Sequence, residues 1–242
     1  MKQPNILVVQ NVSRERPGFL FDVFARHGVD YTRVDLQKGH SYPELHDFDA
    51  MIVLGGPQSA NDNTPHMREE IETVVRWLNT GKPYLGICLG MQVLAKAAGY
   101  TIVPSPIKEV GFRAPDGNMF EFQLTDAGKN DPVLRDMPER TEIFHWHGEM
   151  VDAHPQLPLL AKGSHCETQM IKVHERAYGV QGHFEVTKEM FHIWLEEGKE
   201  DPLLAQVCEE TLLNDFDAYG EANKKAGETV FQNFVSLVEN AR

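Results

Sequence analysis

The chain has 242 residues, enough for one sizeable α/β core without a second domain, and 41% of them are hydrophobic against 24% charged. Its formal charge of −13 argues against nucleic acid or an anionic membrane surface as a partner. Three widely spaced cysteines, Cys88, Cys166 and Cys208, indicate neither a disulfide framework nor a zinc site, and free thiols suit a reducing compartment. Met1-Lys2-Gln3-Pro4-Asn5 leads into a short strand rather than an apolar leader. No run approaches the ~20 apolar residues of a membrane span, so the expected location is the cytoplasm.

Ile6-Leu7-Val8-Val9-Gln10 is a continuous apolar run, the pattern of a strand buried on both faces. Gly18 to His27 follows with Phe19, Leu20, Val23 and Phe24 at helical spacing, and Gly28 closes it. Tyr31 to Leu36 and Met51 to Leu54 are the next strand candidates, the second ending in Gly55-Gly56-Pro57. Thr64-Pro65 reads as the start of a helix whose apolar stripe is Ile71, Val74, Val75 and Leu78. Pro83 to Ile87 is a fourth strand, and Met91 to Ala98 a third helix that stops at Gly99. This alternation predicts a mostly parallel sheet covered by helices on both faces. Residues 101–182 instead hold short candidates of alternating polarity, around 119–124, 142–147, 169–173 and 178–181, which predicts a smaller antiparallel portion. The tail reads as helical, with a start at Asp201-Pro202 and a last apolar face of Val230, Phe231, Phe234, Leu237 and Val238. We expect a single domain over 1–242 with a helical C-terminal extension at 187–242.

Gly86-Ile87-Cys88-Leu89-Gly90 sits at the junction of the fourth strand and third helix. A glycine two residues either side of a nucleophile at such a junction is the nucleophile-elbow pattern with Cys in place of Ser. Side chains at Gly86 or Gly90 are expected to strike neighbouring backbone. The turn sets Cys88 at the first turn of a helix, where the dipole favours an anion. A nucleophile needs a base, and the base an orienting group. His183 ends the strand candidate at 178–182, and Glu185, two residues on, points the same way in an extended segment and can accept the second N–H of the ring. Acyl transfer also needs two donors for an oxyanion. The elbow offers the Leu89 N–H, and the Gly55-Gly56-Pro57 turn offers a second at Gly56, although that turn alone reads equally well as a simple loop.

Gly-Gly-Pro, Gly-x-Cys-x-Gly-x-Gln and Gly-x-Gln-x-His-x-Glu, in this order between residues 5 and 190, resemble the class I glutamine amidotransferases. Lys108-Glu109-Val110-Gly111-Phe112 and Phe144-His145-Trp146-His147-Gly148-Glu149 are similar to segments of its stand-alone, GMP-synthase-like branch. The resemblance implies a flavodoxin-like class I amidotransferase fold and a Cys88, His183 and Glu185 triad. That triad cleaves the glutamine side-chain amide, or another γ-glutamyl amide, through a γ-glutamyl thioester. It also implies that Gly56 and Leu89 form the oxyanion hole and that Gln92 holds the substrate, with no cofactor. The partner would be a small γ-glutamyl substrate. One candidate recipient of the ammonia would be a separate synthetase subunit. Two positions depart from the pattern. Met91 stands where the family has His, and Gly182-His183-Phe184-Glu185 replaces Phe-His-Pro-Glu, exchanging a stiffening proline and a bulky neighbour for a freer backbone. That loop motivates an alternative: a weak or inactive binding protein on the same scaffold.

Other chemistry-bearing residues are expected to do less. His145 and His147, with Glu149, share one side of a strand candidate but lack a further convergent ligand, so no metal site is expected there. Cys166 lies in a polar loop beside His165 and Glu167, whose side chains diverge from it. Cys208 falls in a helical pattern and is expected to be buried.

Overall fold

A computed structural model describes residues 3–241, Gln206 only in its backbone; Met1, Lys2 and Arg242 lie outside the described residues. The strands β1 (Asn5–Gln10), β2 (Asp30–Asp35), β3 (Ala50–Val53) and β4 (Tyr84–Ile87) alternate with α1 (Leu20–His27), α2 (Pro65–Leu78) and α3 (Leu89–Ala97). The middle of the chain supplies β5 (Ile102–Gly111), β6 (Phe122–Leu124), the short helix α4 (Asp126–Lys129), β7 (Arg140–Thr141), β8 (His145–Val151), β9 (Leu159–Lys162), β10 (Met170–His174) and β11 (Ala177–Val180). Two helices, α5 (Lys188–Glu197) and α6 (Glu209–Asn240), complete it.

Among the described residues nine strands form one sheet in the order β2-β1-β3-β4-β11-β10-β9-β6-β7. The five strands from β2 to β11 are parallel, and the rest pair antiparallel. The antiparallel portion expected at 101–182 is therefore divided. Of the seven strands there, β10, β9, β6 and β7 extend the main sheet antiparallel, β11 joins it parallel to β4 instead, and β5 and β8 make a separate two-stranded ribbon.

The apolar run of β1 is explained by what covers it. Ile6 and Val8 face Leu20, Val23 and Phe24 of α1 and Val230, Phe231 and Phe234 of α6. Leu7 and Val9 face Met67, Val74 and Trp77 of α2 and Leu94 of α3. Each such side chain fully removed from water contributes ~1.5–3 kcal/mol, so continuous apolarity is favoured where both faces are covered. Local signals set the ends: Thr64 Oγ1 accepts from the Met67 N–H above Pro65, and Gly28 closes α1 at φ 63°.

Two expectations for the tail fail. Asp201-Pro202 starts no α-helix, only a single 3-10 turn at Leu204–Gln206; the Asp201 carboxylate accepts from Leu203 N at 2.9 Å and from Trp146 Nε1 at 3.0 Å. The long helix begins only after Cys208, and Cys208, at its N-terminal boundary, is exposed rather than buried.

Candidate active site

Parallel pairing of β4 with β11 brings two separated motifs to one end of the sheet. The register runs from Ala177 opposite Tyr84 to Val180 opposite Ile87, and Cys88 N continues it by donating to Val180 O at 2.8 Å. The chain beyond each strand, Cys88 on one and Gln181 to Glu185 on the other, emerges at the carboxyl edge, where ligands enter open α/β sheets.

Cys88 has φ 50° and ψ −107°, a backbone state that side-chain-bearing residues rarely adopt. The turn is tight on both flanks. A Cβ on Gly86 would lie 2.3 Å from Gly90 O, and one on Gly90 would lie 2.1 Å from Val53 O. The thiol stands above the start of α3, receives Gln181 Nε2 at 3.6 Å and lies 3.8 Å from Trp146 O.

His183 is buried, and its Nδ1 meets Glu185 Oε1 at 2.7 Å. Burial pulls the ring's pKa down, but the Glu185 carboxylate and the neighbouring Cys88 thiol outweigh it and hold His183 well above its ordinary value. Trp194 of α5 stands edge-on to the ring with centroids 4.9 Å apart. His183 and Glu185 meet across a turn rather than along an extended strand.

The loop that departs from the family pattern is braced from three sides. His183 N donates to Phe144 O at 2.7 Å. Asn223 of α6, fully buried, donates to His183 O at 3.1 Å and accepts from Phe144 N at 3.0 Å. Phe19 N donates to Glu185 O at 3.1 Å, where a Cβ on Gly18 would come within 1.8 Å of the same oxygen. Phe184, standing where proline was expected, is buried edge-on against Phe122 at 5.4 Å. Gly182 leaves room for Ile143, whose Cδ1 would sit 2.3 Å from an added Cβ. The stiffness proline would supply through its ring comes here from tertiary contacts.

A cavity of about 710 Å³ opens over Cys88 and His183, and Gly56, Leu89 and Gln92 line it with them. A Cβ on Gly56 would meet the tip of the Leu89 side chain, Cδ2, at 3.0 Å. Gln92 Nε2 donates to Glu149 O at 3.0 Å and to Gln181 Oε1 at 3.3 Å, which points its amide along the cavity wall.

Sequence reasoning missed three groups. Glu15, beyond β1, lines the cavity with its Oε2 buried and unpartnered, next to Gly55 and the His183 ring. Burial pushes its carboxyl up to about 7, with His183 pulling it down and Glu185 pushing it up. Asn223 is the second. Both belong to segments without a motif, so only tertiary structure reveals them.

The third is a polar cluster behind the cavity. His147 Nε2 meets Glu109 Oε2 at 3.0 Å, Gln169 Nε2 donates to the same oxygen at 3.0 Å, and Cys166 N donates to Glu109 Oε1 at 3.1 Å. The partners that the His145 and His147 pair was expected to lack are therefore present, brought in from β5 and the β9–β10 connection. Glu109, His147 and Cys166 offer ligand-type atoms within 4.8 Å of one another. Those atoms are already engaged: the carboxylate accepts three N–H groups, and Cys166 Sγ donates to Thr168 O at 3.6 Å. Burial pushes the Glu109 carboxyl up, but the rings of His145 and His147 outweigh it and hold it down at about 2. Burial also pushes the Cys166 thiol far up. A metal would have to displace this network and deprotonate the thiol.

Residues 19–196 match the family model described as glutamine amidotransferase class-I. The chain is 30% identical over 152 residues to the glutamine amidotransferase-like protein YfeJ of Salmonella typhimurium, covering 61% of each. It is 31% identical over 144 residues to a glutamine-hydrolyzing GMP synthase chain of Sulfurisphaera tokodaii, covering 59% of this chain and 70% of that one. The match thus spans less than two thirds of YfeJ. A glutamine amidotransferase from Thermotoga maritima superposes with a TM-score of 0.84 at 23% identity, over 97% of this chain and 99% of the other. Among the described residues no helix is long and apolar enough to cross a membrane.

Proposed function

The chain belongs to the class I glutamine amidotransferase family, and from that premise we propose that it hydrolyses the side-chain amide of glutamine, or another γ-glutamyl amide, through a thioester on Cys88. The observation that carries this reading is the aimed thiol: Cys88, held at φ 50° between two glycines, faces a cavity shared with a His183–Glu185 pair 2.7 Å apart.

His183 takes the Cys88 proton and Glu185 steadies the imidazolium. The thiolate attacks the amide carbon, and the carbonyl oxygen, gaining negative charge, turns toward the N–H groups of Gly56 and Leu89. His183 returns its proton to the departing nitrogen, the C–N bond breaks, and ammonia or an amine leaves. Water, deprotonated by His183, then attacks the thioester, releases glutamate and restores the thiol. Gln92 helps hold the substrate beside the elbow. Where the ammonia is used rather than released, the proposed recipient is a separate synthetase subunit.

Steady-state glutamate release from glutamine and from γ-glutamyl peptides tests the reading. We expect turnover of at least one, and a fall of more than about 10³-fold in Cys88→Ala with the fold intact. A folded protein that turns over none of them refutes it.

A further inference from the structure

The ribbon of β5 and β8 is interrupted where it borders the cavity. Its register passes from Pro104 opposite Glu149 to Glu109 opposite His147, so residues 105–108 of β5 bulge out against Gly148. Bulges of this kind re-aim the backbone next to a site. Here it leaves the Glu149 carbonyl opposite a proline, which has no N–H to give. Side chains hold that carbonyl instead. His147 Nδ1 meets it at 3.1 Å and Gln92 Nε2 donates to it at 3.0 Å.

The other nitrogen of the same ring faces Glu109 Oε2 at 3.0 Å. A backbone carbonyl and a carboxylate only accept, so a ring that bonds to both carries both protons and a positive charge. Glu109, almost fully buried, is the counter-charge; Gln169 and Cys166 N donate to it, and His145 Nδ1 faces the same Oε2 at 3.3 Å. A buried charge pair is costly unless geometry and partners are this complete. From the Glu149 carbonyl the chain of bonds continues through Gln92 to Gln181 Oε1 at 3.3 Å, and through Gln181 Nε2 to Cys88 Sγ at 3.6 Å.

We propose that Glu109 and His147 are positioning residues for the reaction: through the Glu149 carbonyl they set the cavity wall and the Gln92–Gln181 pair that grips the Cys88 sulfur. The proposal rests on Cys88 as nucleophile. It assigns the functional bond to His147 Nδ1, while Nε2 serves to keep the ring charged.

Two substitutions separate this from simple packing. Asparagine places an amide N–H near the position of Nδ1, and glutamine places one near Nε2. We expect both variants to lose kcat/KM, with His147→Asn keeping at least about tenfold more of it than His147→Gln, and KM rising in His147→Gln. A filler role for His147 predicts the reverse order, because glutamine preserves the partner of buried Glu109; equal or better activity in His147→Gln than in His147→Asn overturns the proposal. Glu109→Gln is nearly isosteric and guards against misfolding of the histidine variants. It takes the carboxylate away from Nε2, so kcat/KM should fall by more than about threefold with KM rising; an unchanged kcat/KM counts against the proposal. Iodoacetamide alkylation of Cys88 in a Cys208→Ser background needs no turnover, so it reads the wiring even if no γ-glutamyl substrate is cleaved. The alkylation rates of His147→Asn and His147→Gln should differ by more than about threefold, with His147→Asn nearer to wild type; equal rates in the two variants overturn the proposal.

Discussion

Glu15 and His183 face each other across Gly55, and their charges matter to each other. With its carboxyl pushed up to about 7, Glu15 is neutral in acid and ionised in base. Ionised, it adds a second carboxylate beside the imidazolium that Cys88 needs. The kcat/KM profile should therefore climb through about pH 7, and Glu15→Gln should abolish that limb and lower the plateau. An unchanged profile in the variant would remove Glu15 from the chemistry. The elbow makes a different kind of prediction. An added methyl at Gly90 lands 2.1 Å from the Val53 carbonyl, which is backbone and cannot rotate away. Gly90→Ala should cost more than ~2 kcal/mol in urea unfolding, whereas Gly81→Ala, with open space around it, should cost only the strain of its φ of 68°.

At the scale of elements, α6 does more than cover the sheet. Asn223 bonds both the Phe144 N–H and the His183 carbonyl, and a Cβ on neighbouring Gly227 would sit 2.5 Å from Phe184 O, so the helix is pressed against the loop carrying the base. Asn223→Ala leaves two buried backbone groups unpaired. We expect ~2–3 kcal/mol of destabilisation by urea titration, with kcat falling more than KM changes. Helix α2 holds a second buried acid, Glu70, fully buried with neither oxygen in hydrogen-bond geometry. Burial pushes its carboxyl up to about 7, and Asn11, whose amide is spent on Leu54 O, offsets this only in part. A raised carboxyl favours the folded state below pH 4.5, and that stability drains away as pH rises to about 7. Glu70→Gln should match wild type at about pH 4 and exceed it at about pH 8 by up to ~3 kcal/mol in chemical unfolding.

The same scale shows where sequence and structure part. The parallel half was legible because helix covering both faces of a strand leaves an unbroken apolar run, as in Ile6 to Val9. The elbow was legible because Gly86 is demanded by a collision within the motif, with Gly90 O, even though Gly90 answers to Val53 of β3. The divided ribbon of β5 and β8 was not, since alternation identifies an exposed strand but not its partner. Nor were Glu109, Cys166 and Asn223 as neighbours of the site, because each arrives from a distant segment with no local rule naming its target. Asp201-Pro202 misled for the opposite reason. Its capping chemistry is real, but the carboxylate spends it on Leu203 N and Trp146 rather than on an α-helix.

Across the whole molecule, the core and the site share their supports. The family model ends at residue 196, yet Val230, Phe231, Phe234, Val235 and Val238 of α6 are fully buried against β1 and α1. A chain cut after Cys208 would lose this helix and expose the apolar side chains of β1 and α1 beneath it, and we expect it to lose cooperative thermal unfolding by circular dichroism rather than merely lose activity.

The backbone of Cys88 carries a cost that the unfolded chain does not bear. A residue fixed at φ 50° and ψ −107° holds ~1–3 kcal/mol of conformational strain, released whenever the protein unfolds. Aim and endurance are thus opposed at one position: the geometry that presents the sulfur also erodes the lifetime of the fold. Glycine at 88 would surrender the reaction and relieve the strain, so Cys88→Gly should outlast Cys88→Ala on heating, a trade-off between activity and stability written into a single peptide unit.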